Sequence, residues 1–208
     1  VGEEVTHLKV GDKCSLEPYV NDPTSATSNK GHSNCCPGVQ VLGVHSDGGL
    51  RPLWICPARK LHPGNSLSYD QLALVETLAI GYHSVIRANP HPGETVLVIG
   101  AGPIGLAALE FLRLQDLKII VMDMVESRLE FCRKHLGIEH TVLFSADGTH
   151  LSELEGITGG ELADIVVDAT GSVQSMSNCF EYAAFTGRVI YVGITTEHLS
   201  FPHAPVFH

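Results

Sequence analysis

Residues 95–112 read TVLVIGAGPIGLAALEFL, and the fold turns on them. An apolar, mostly β-branched run over 96–99 stops at Gly100-Ala101-Gly102-Pro103-Ile104-Gly105, and an apolar helical pattern takes over. A buried parallel strand, a tight glycine turn and a helix N-terminus are what a dinucleotide pyrophosphate requires. Gly100 makes the turn, Gly102 lets the backbone come close to the phosphates, and Gly105 lets the helix pack tightly on the strand. Pro103 falls in the first helical turn, where its missing donor costs nothing. The free N–H groups there present the positive end of the helix dipole to an anion. Such a turn is weak testimony alone, but a second apolar strand over 118–122 ends in Asp123, about twenty residues beyond the glycines. A carboxylate at that place accepts both ribose hydroxyls of NAD and repels the 2′-phosphate of NADP. No arginine immediately follows Asp123 to receive such a phosphate. The alternative, an acid that merely caps the next helix, fits the spacing less well.

Outward from this unit, strands and helices alternate. Strands are predicted over 96–99, 118–122, 141–144, 164–168 and 188–192, and helices over 104–114, 126–136 and 173–184. This is a doubly wound parallel sheet, with nucleotide expected at the carboxyl ends of its strands. Upstream, Ser68 can cap a helix carrying Leu72, Val75 and Leu78, and a second helix is predicted over 81–88. Residues 1–66 are rich in turns, with short strands expected over 14–16, 39–44 and 53–56, which suggests a small β-barrel-like domain. Residues 21–37, NDPTSATSNKGHSNCCP, form a long polar loop of a kind uncommon in compact domains.

Composition narrows the partners. The 208 residues allow one large domain or two small ones, and 44% hydrophobic content is ample for a core. A formal charge of −10 argues against nucleic acid or an anionic membrane as the main partner. No apolar run is as long as a membrane span, and VGEEVTHLKVGDK carries neither a basic nor an apolar signal region. Six scattered cysteines, with only Cys35-Cys36 adjacent, give no disulfide framework, so a reducing cytoplasm is expected. The start at Val1-Gly2 and the stop at Phe207-His208 lead to the expectation that both ends are cut from something longer.

Several further motifs, in order, resemble the zinc-type medium-chain alcohol dehydrogenase superfamily in its polyol, sugar-acid and threonine dehydrogenase branch. They are VGDKC at 10–14, EPY at 17–19, VLGVHSDGG at 41–49, KLHP at 60–63 and LALVETLAIGYHSV at 72–85. VLVIGAGPIG, Asp123 with Arg128-Leu129, DIVVDATG and GRVIYVGI complete the set. The resemblance implies a partial GroES-like β-barrel catalytic domain over 1–80 and an NAD-binding Rossmann domain over 81–208 whose last strand lies past His208. It also implies a small-molecule alcohol or polyol substrate, no nucleic acid or membrane partner, and a homo-oligomer in the intact protein.

Carried over by position, Gly100, Gly102, Pro103, Ile104 and Gly105 match the pyrophosphate turn, Asp123 the ribose carboxylate, and Arg128 the residue beside the adenosine. Thr170, Val192, Gly193 and Ile194 match segments flanking the nicotinamide half. Glu76 matches a carboxylate at the catalytic zinc, although Thr77 replaces the usual proline, and the remaining catalytic ligands are expected upstream of Val1. A single carboxylate is not a zinc site. The family's structural-zinc cysteines fall on Asp22, Ser25, Ser28 and Cys35, so no structural zinc is expected. His45 reads as a hydrogen-bonded loop residue. The other histidines, His208 among them, lack ligand spacing, and Cys14, Cys56, Cys132 and Cys179 read as small buried apolar residues.

The resemblance therefore implies NAD-dependent, zinc-assisted oxidation of a secondary alcohol, polyol or sugar acid. A zinc-free NADPH reductase of the quinone-reductase kind is the enzyme alternative, and a non-catalytic NAD-binding module is the other. Asp123 speaks against the first, and the missing zinc ligands favour the second for these residues taken alone.

Overall fold

The computed structural model describes residues 1–206; His208 lies outside them. The chain divides into two compact units, Val1–Glu76 and Thr77–His208.

The first unit contains four short strands: β1 (Cys14–Leu16), β2 (Tyr19–Val20), β3 (Gln40–Val41) and β4 (Leu61–Pro63). β1 pairs antiparallel with β4, and β2 with β3. The strand expected over 39–44 thus shrinks to two residues. The one expected over 53–56 is absent: Leu53 and Ile55 are almost fully exposed, with no neighbouring strand to bury them. The polar stretch 21–37 is more ordered than its composition suggests, carrying the short helix α1 (Ala26–Asn29) and a single 3-10 turn.

Where two helices were expected, one runs unbroken: α2 (Tyr69–Ala88). Ser68 Oγ accepts from Gln71 N at 3.1 Å and Gln71 Oε1 accepts from Ser68 N at 2.9 Å, a reciprocal cap that satisfies two otherwise orphaned donors. Gly81 sits inside it without breaking it. A Cβ there would lie 2.5 Å from the carbonyl carbon of Ala107, so the glycine marks a close helix–helix approach rather than a terminus.

The second unit is built on five parallel strands. These are β5 (Thr95–Ile99), β6 (Lys118–Asp123), β7 (His140–Leu143), β8 (Ala163–Asp168) and β9 (Ala183–Tyr191), in the order β7-β6-β5-β8-β9. Between them run α3 (Pro103–Leu112), α4 (Glu126–Leu136), α5 (Thr149–Thr158) and α6 (Val173–Asn178). Alternate residues of β5 serve opposite faces. Val96 and Val98 join Leu109, Leu112 and Leu129 in one buried cluster, while Leu97 and Ile99 join Ile120, Met122 and Leu154 in the other. Burial on both sides is why these strands read as continuous apolar runs instead of alternating ones.

The sequence reading missed α5 and overran α6. Glu153 and Glu155 lie on the exposed side of α5, whose buried residues are only His150 and Leu154. The helix expected over 173–184 stops at Asn178, a 3-10 turn follows, and β9 begins at Ala183. Residues 184–187 bulge out of the ladder, since Ala183 faces Ala163 while the next pair joins Ile165 to Arg188.

The entry to α5 yields a pH prediction. Asp147 Oδ1 accepts from Thr149 N (3.0 Å), Ser145 Oγ (2.7 Å) and Thr149 Oγ1 (2.8 Å). These bonds, the Thr149 backbone bond foremost, hold its carboxyl down to about 2. A carboxyl depressed on folding stabilises above its unfolded pKa of about 4, and that contribution is lost as pH falls through the folded value. Asp147→Asn is expected to lower the thermal midpoint at neutral pH, with the difference vanishing as pH falls from about 4 to about 2. A gap between the two proteins that is constant across that window contradicts it.

Candidate functional site

At the carboxyl end of β5 the chain turns through Gly100 at φ +96°, a conformation natural to glycine. Gly102 follows in an extended conformation, and Pro103 and Ile104 open α3. Gly105 is fixed by contact: a Cβ there would lie 1.8 Å from the Gly100 carbonyl oxygen. Gly102 differs, because a Cβ on it would meet nothing within 4 Å. The turn is therefore packed from beneath and open above, at a helix N-terminus, where backbone N–H groups lack partners within the helix.

Asp123 ends β6 beside this turn and is 5% exposed. Its Oδ2 accepts from Ala101 N at 2.7 Å and its Oδ1 from Val125 N at 2.8 Å. The carboxylate so bridges the glycine turn and the entry to α4 while keeping lone pairs for further donors. Arg128 Nη1 stands 3.6 Å from Oδ2, half-exposed, so solvent screens this pair and it contributes little stability.

Across β5, the ends of β8 and β9 form the other wall. The methyl of Thr170 is 3.1 Å from where a Gly100 Cβ would be. Gly171, at φ +68°, abuts Gly193, where a Cβ would lie 2.2 Å from Gly171 N. Val192 is half-buried and Ile194 almost fully exposed. Every cofactor position singled out in the sequence thus lies at the carboxyl ends of the parallel strands or in the turns and first helical residues that follow them. Between β5 and β8 the strand order changes direction, which opens a crevice for a ligand.

Glu76 belongs to the first unit, on α2, and its Oε1 accepts from Tyr19 OH at 2.9 Å. Burial, with the carboxylate beside it, raises the Tyr19 pKa. Among the described residues no group of three or more His, Cys, Asp or Glu is placed to hold a metal ion. With one carboxylate as donor set, the residues here do not fit zinc.

In the 21–37 stretch Ser25 Oγ bonds Ser28 Oγ at 2.8 Å and the Asp22 carbonyl at 3.0 Å, and Asn21 Nδ2 donates to Ser28 Oγ at 2.9 Å. Cys36, not Cys35, faces this cluster: Cys36 is buried and Cys35 exposed. A bond from the Ser25 hydroxyl, with backbone bonds beside it, lowers the Cys36 thiol pKa. Cys132 and Cys179 are fully buried as expected, whereas Cys14 and Cys56 are only partly so. His45 is a hydrogen-bonded loop residue, its Nδ1 accepting from Val41 N at 2.9 Å.

Two polar residues here escaped the sequence reading. Nothing in the sequence pairs Tyr19 with Glu76, 57 positions away. Asp168 had a legible signal, an acid closing a buried strand two residues before a threonine, the pattern of an Asx turn.

Comparison with known proteins bears out the fold. The family model for zinc-binding dehydrogenase matches residues 103–208. L-galactonate-5-dehydrogenase of Escherichia coli K12 is 34% identical over 208 residues, covering 100% of this chain and 60% of that protein. D-xylulose reductase of Morganella morganii is 34% identical over 200 residues, 94% of this chain and 58% of its own. A short chain alcohol dehydrogenase from Escherichia coli CFT073, solved in complex with NADH, matches with TM-score 0.89 at 27% identity, over 100% of this chain and 61% of that one. The alcohol dehydrogenase of Aeropyrum pernix matches with TM-score 0.88 at 26% identity, over 99% and 61%. The chain spans about 60% of the length of these relatives. By the match over residues 103–208, the chain belongs to the zinc-binding dehydrogenase family.

Proposed function

We propose that these residues form the cofactor half of an NAD-dependent enzyme that oxidises a secondary alcohol, polyol or sugar acid. One observation carries the reading: a buried carboxylate, Asp123, at the end of β6, held against a glycine turn that is packed below and open above. The backbone N–H groups at the start of α3 would receive the pyrophosphate, and Asp123 the adenosine ribose hydroxyls, with Arg128 beside them. Thr170, Val192, Gly193 and Ile194 would flank the nicotinamide. Bound NAD supplies a hydride acceptor.

In the whole protein we take alcohol activation to be zinc-assisted, with Glu76 as one contributor. The described residues themselves do not assemble a metal site. The whole protein is further proposed to be a cytoplasmic homo-oligomer. No helix of the described residues is long and apolar enough to cross a membrane.

Titrating the chain with NAD and with NADP tests the reading. Asp123 is expected to favour NAD by ~tenfold or more, since a like charge beside it opposes the 2′-phosphate. Equal affinities, or preference for NADP, would overturn it.

A further inference from the structure

Asp168, at the carboxyl end of β8, is completely buried. Its Oδ1 accepts from Thr170 N at 2.9 Å and Thr170 Oγ1 at 2.8 Å, and its Oδ2 accepts from Ser175 Oγ and, at 3.8 Å, from Cys179 Sγ. Its carbonyl oxygen accepts from Val192 N at 2.9 Å and Gly193 N at 3.2 Å. One residue therefore ties the turn after β8, the helix α6 and the turn after β9. Thr170 Oγ1 extends the network by accepting from Ser172 N at 3.0 Å. The carboxylate also raises the pKa values of its neighbours: burial and then Asp168 push Cys179 up, and Tyr191 is pushed to about 12 mainly by burial. Burying a carboxyl group is costly, and an apolar side chain would pack there at less cost. What an apolar residue cannot do is fix Thr170 and Gly171 against Gly193.

If Asp123 receives the adenosine ribose beyond β6, the second nucleotide falls on the other side of β5, over β8 and β9. We propose that Asp168 is a positioning residue for the nicotinamide-side wall of the cradle. Its carboxylate orients Thr170–Gly171, and its carbonyl holds the Val192–Gly193 turn, at the spacing that receives the ring and its ribose. This rests on the NAD reading above.

The test separates the two halves of the cofactor. The chain and its Asp168→Ala variant are titrated with NADH, read by nicotinamide fluorescence, and with ADP, which reaches only the adenosine and pyrophosphate side. Asp168→Ala is expected to weaken NADH by ~tenfold or more with its fluorescence enhancement lost, ADP staying within about twofold, and Asp168→Asn to restore most of the NADH affinity. Should Asp168→Ala fail to fold, Ser175→Ala, which removes one donor to the carboxylate from outside the cradle, gives a smaller split of the same sign. Parallel loss of NADH and ADP affinity, or no loss in Ser175→Ala and Asp168→Ala alike, overturns the positioning role. A wild-type chain that binds neither ligand overturns the NAD reading itself, and the inference with it.

Discussion

Gly105→Ala is expected to lower the thermal midpoint by about 6–12 °C and to weaken NAD at least ~100-fold, the largest single effect in the second unit. The added Cβ would sit 1.8 Å from the Gly100 carbonyl oxygen. Neither atom belongs to a rotatable side chain, so α3 and the turn must separate. Forced overpacking of this kind costs on the order of 3 kcal/mol, and about 1 kcal/mol shifts the midpoint of a chain this size by about 2–4 °C. Because the turn is also the proposed pyrophosphate seat, the same displacement withdraws the N–H groups from the anion. Gly102→Ala is the matched control. Its Cβ meets nothing within 4 Å, so its midpoint should stay within about 1 °C while NAD affinity falls, the space being reserved for ligand. A Gly105→Ala protein that melts and binds like wild type would refute the packing argument. A Gly102→Ala protein that binds NAD unchanged would refute the seat.

Asp123→Ala comes next. The variant loses the acceptor of Ala101 N and Val125 N together with the proposed acceptor of the ribose hydroxyls. Each buried N–H left unpaired costs about 1–3 kcal/mol, and each lost hydrogen bond to a charged group about 1.5–3 kcal/mol. NAD affinity is therefore expected to fall by ~50-fold or more, and the preference over NADP to shrink, because the repelling charge has gone. Asp123→Asn keeps the shape but turns one oxygen into a donor facing a donor, so an intermediate loss is expected. Calorimetric titration of both nucleotides against the three proteins checks this. An unchanged NAD:NADP ratio in Asp123→Ala would remove the carboxylate from cofactor choice.

The parallel sheet was legible because its strands are buried on both faces, so 96–99 and 118–122 announce themselves without periodicity. The glycine turn was legible because steric demand at Gly100 and Gly105 leaves little choice of residue. α5 buries only His150 and Leu154, too few to mark a helical period, and Gly148 and Gly156 punctuate it. The strand over 53–56 failed because β-propensity without a partner strand is insufficient. The second helix expected over 81–88 is the continuation of α2, and Gly81 within it admits Ala107 of α3. Asp168 acts through a local Asx turn and through bonds to the turn after β9, Tyr19 through a tertiary bond to Glu76. Local pattern carries the first of these faintly and the second not at all.

The double engagement of Asp123 has an evolutionary corollary. A lineage drifting toward the phosphorylated dinucleotide could not simply discard this acid, because the amides it accepts from would be stranded within the turn that must stay rigid. Exchange of cofactor along such a lineage is expected to need a compensating acceptor first, and repulsion relieved only afterwards.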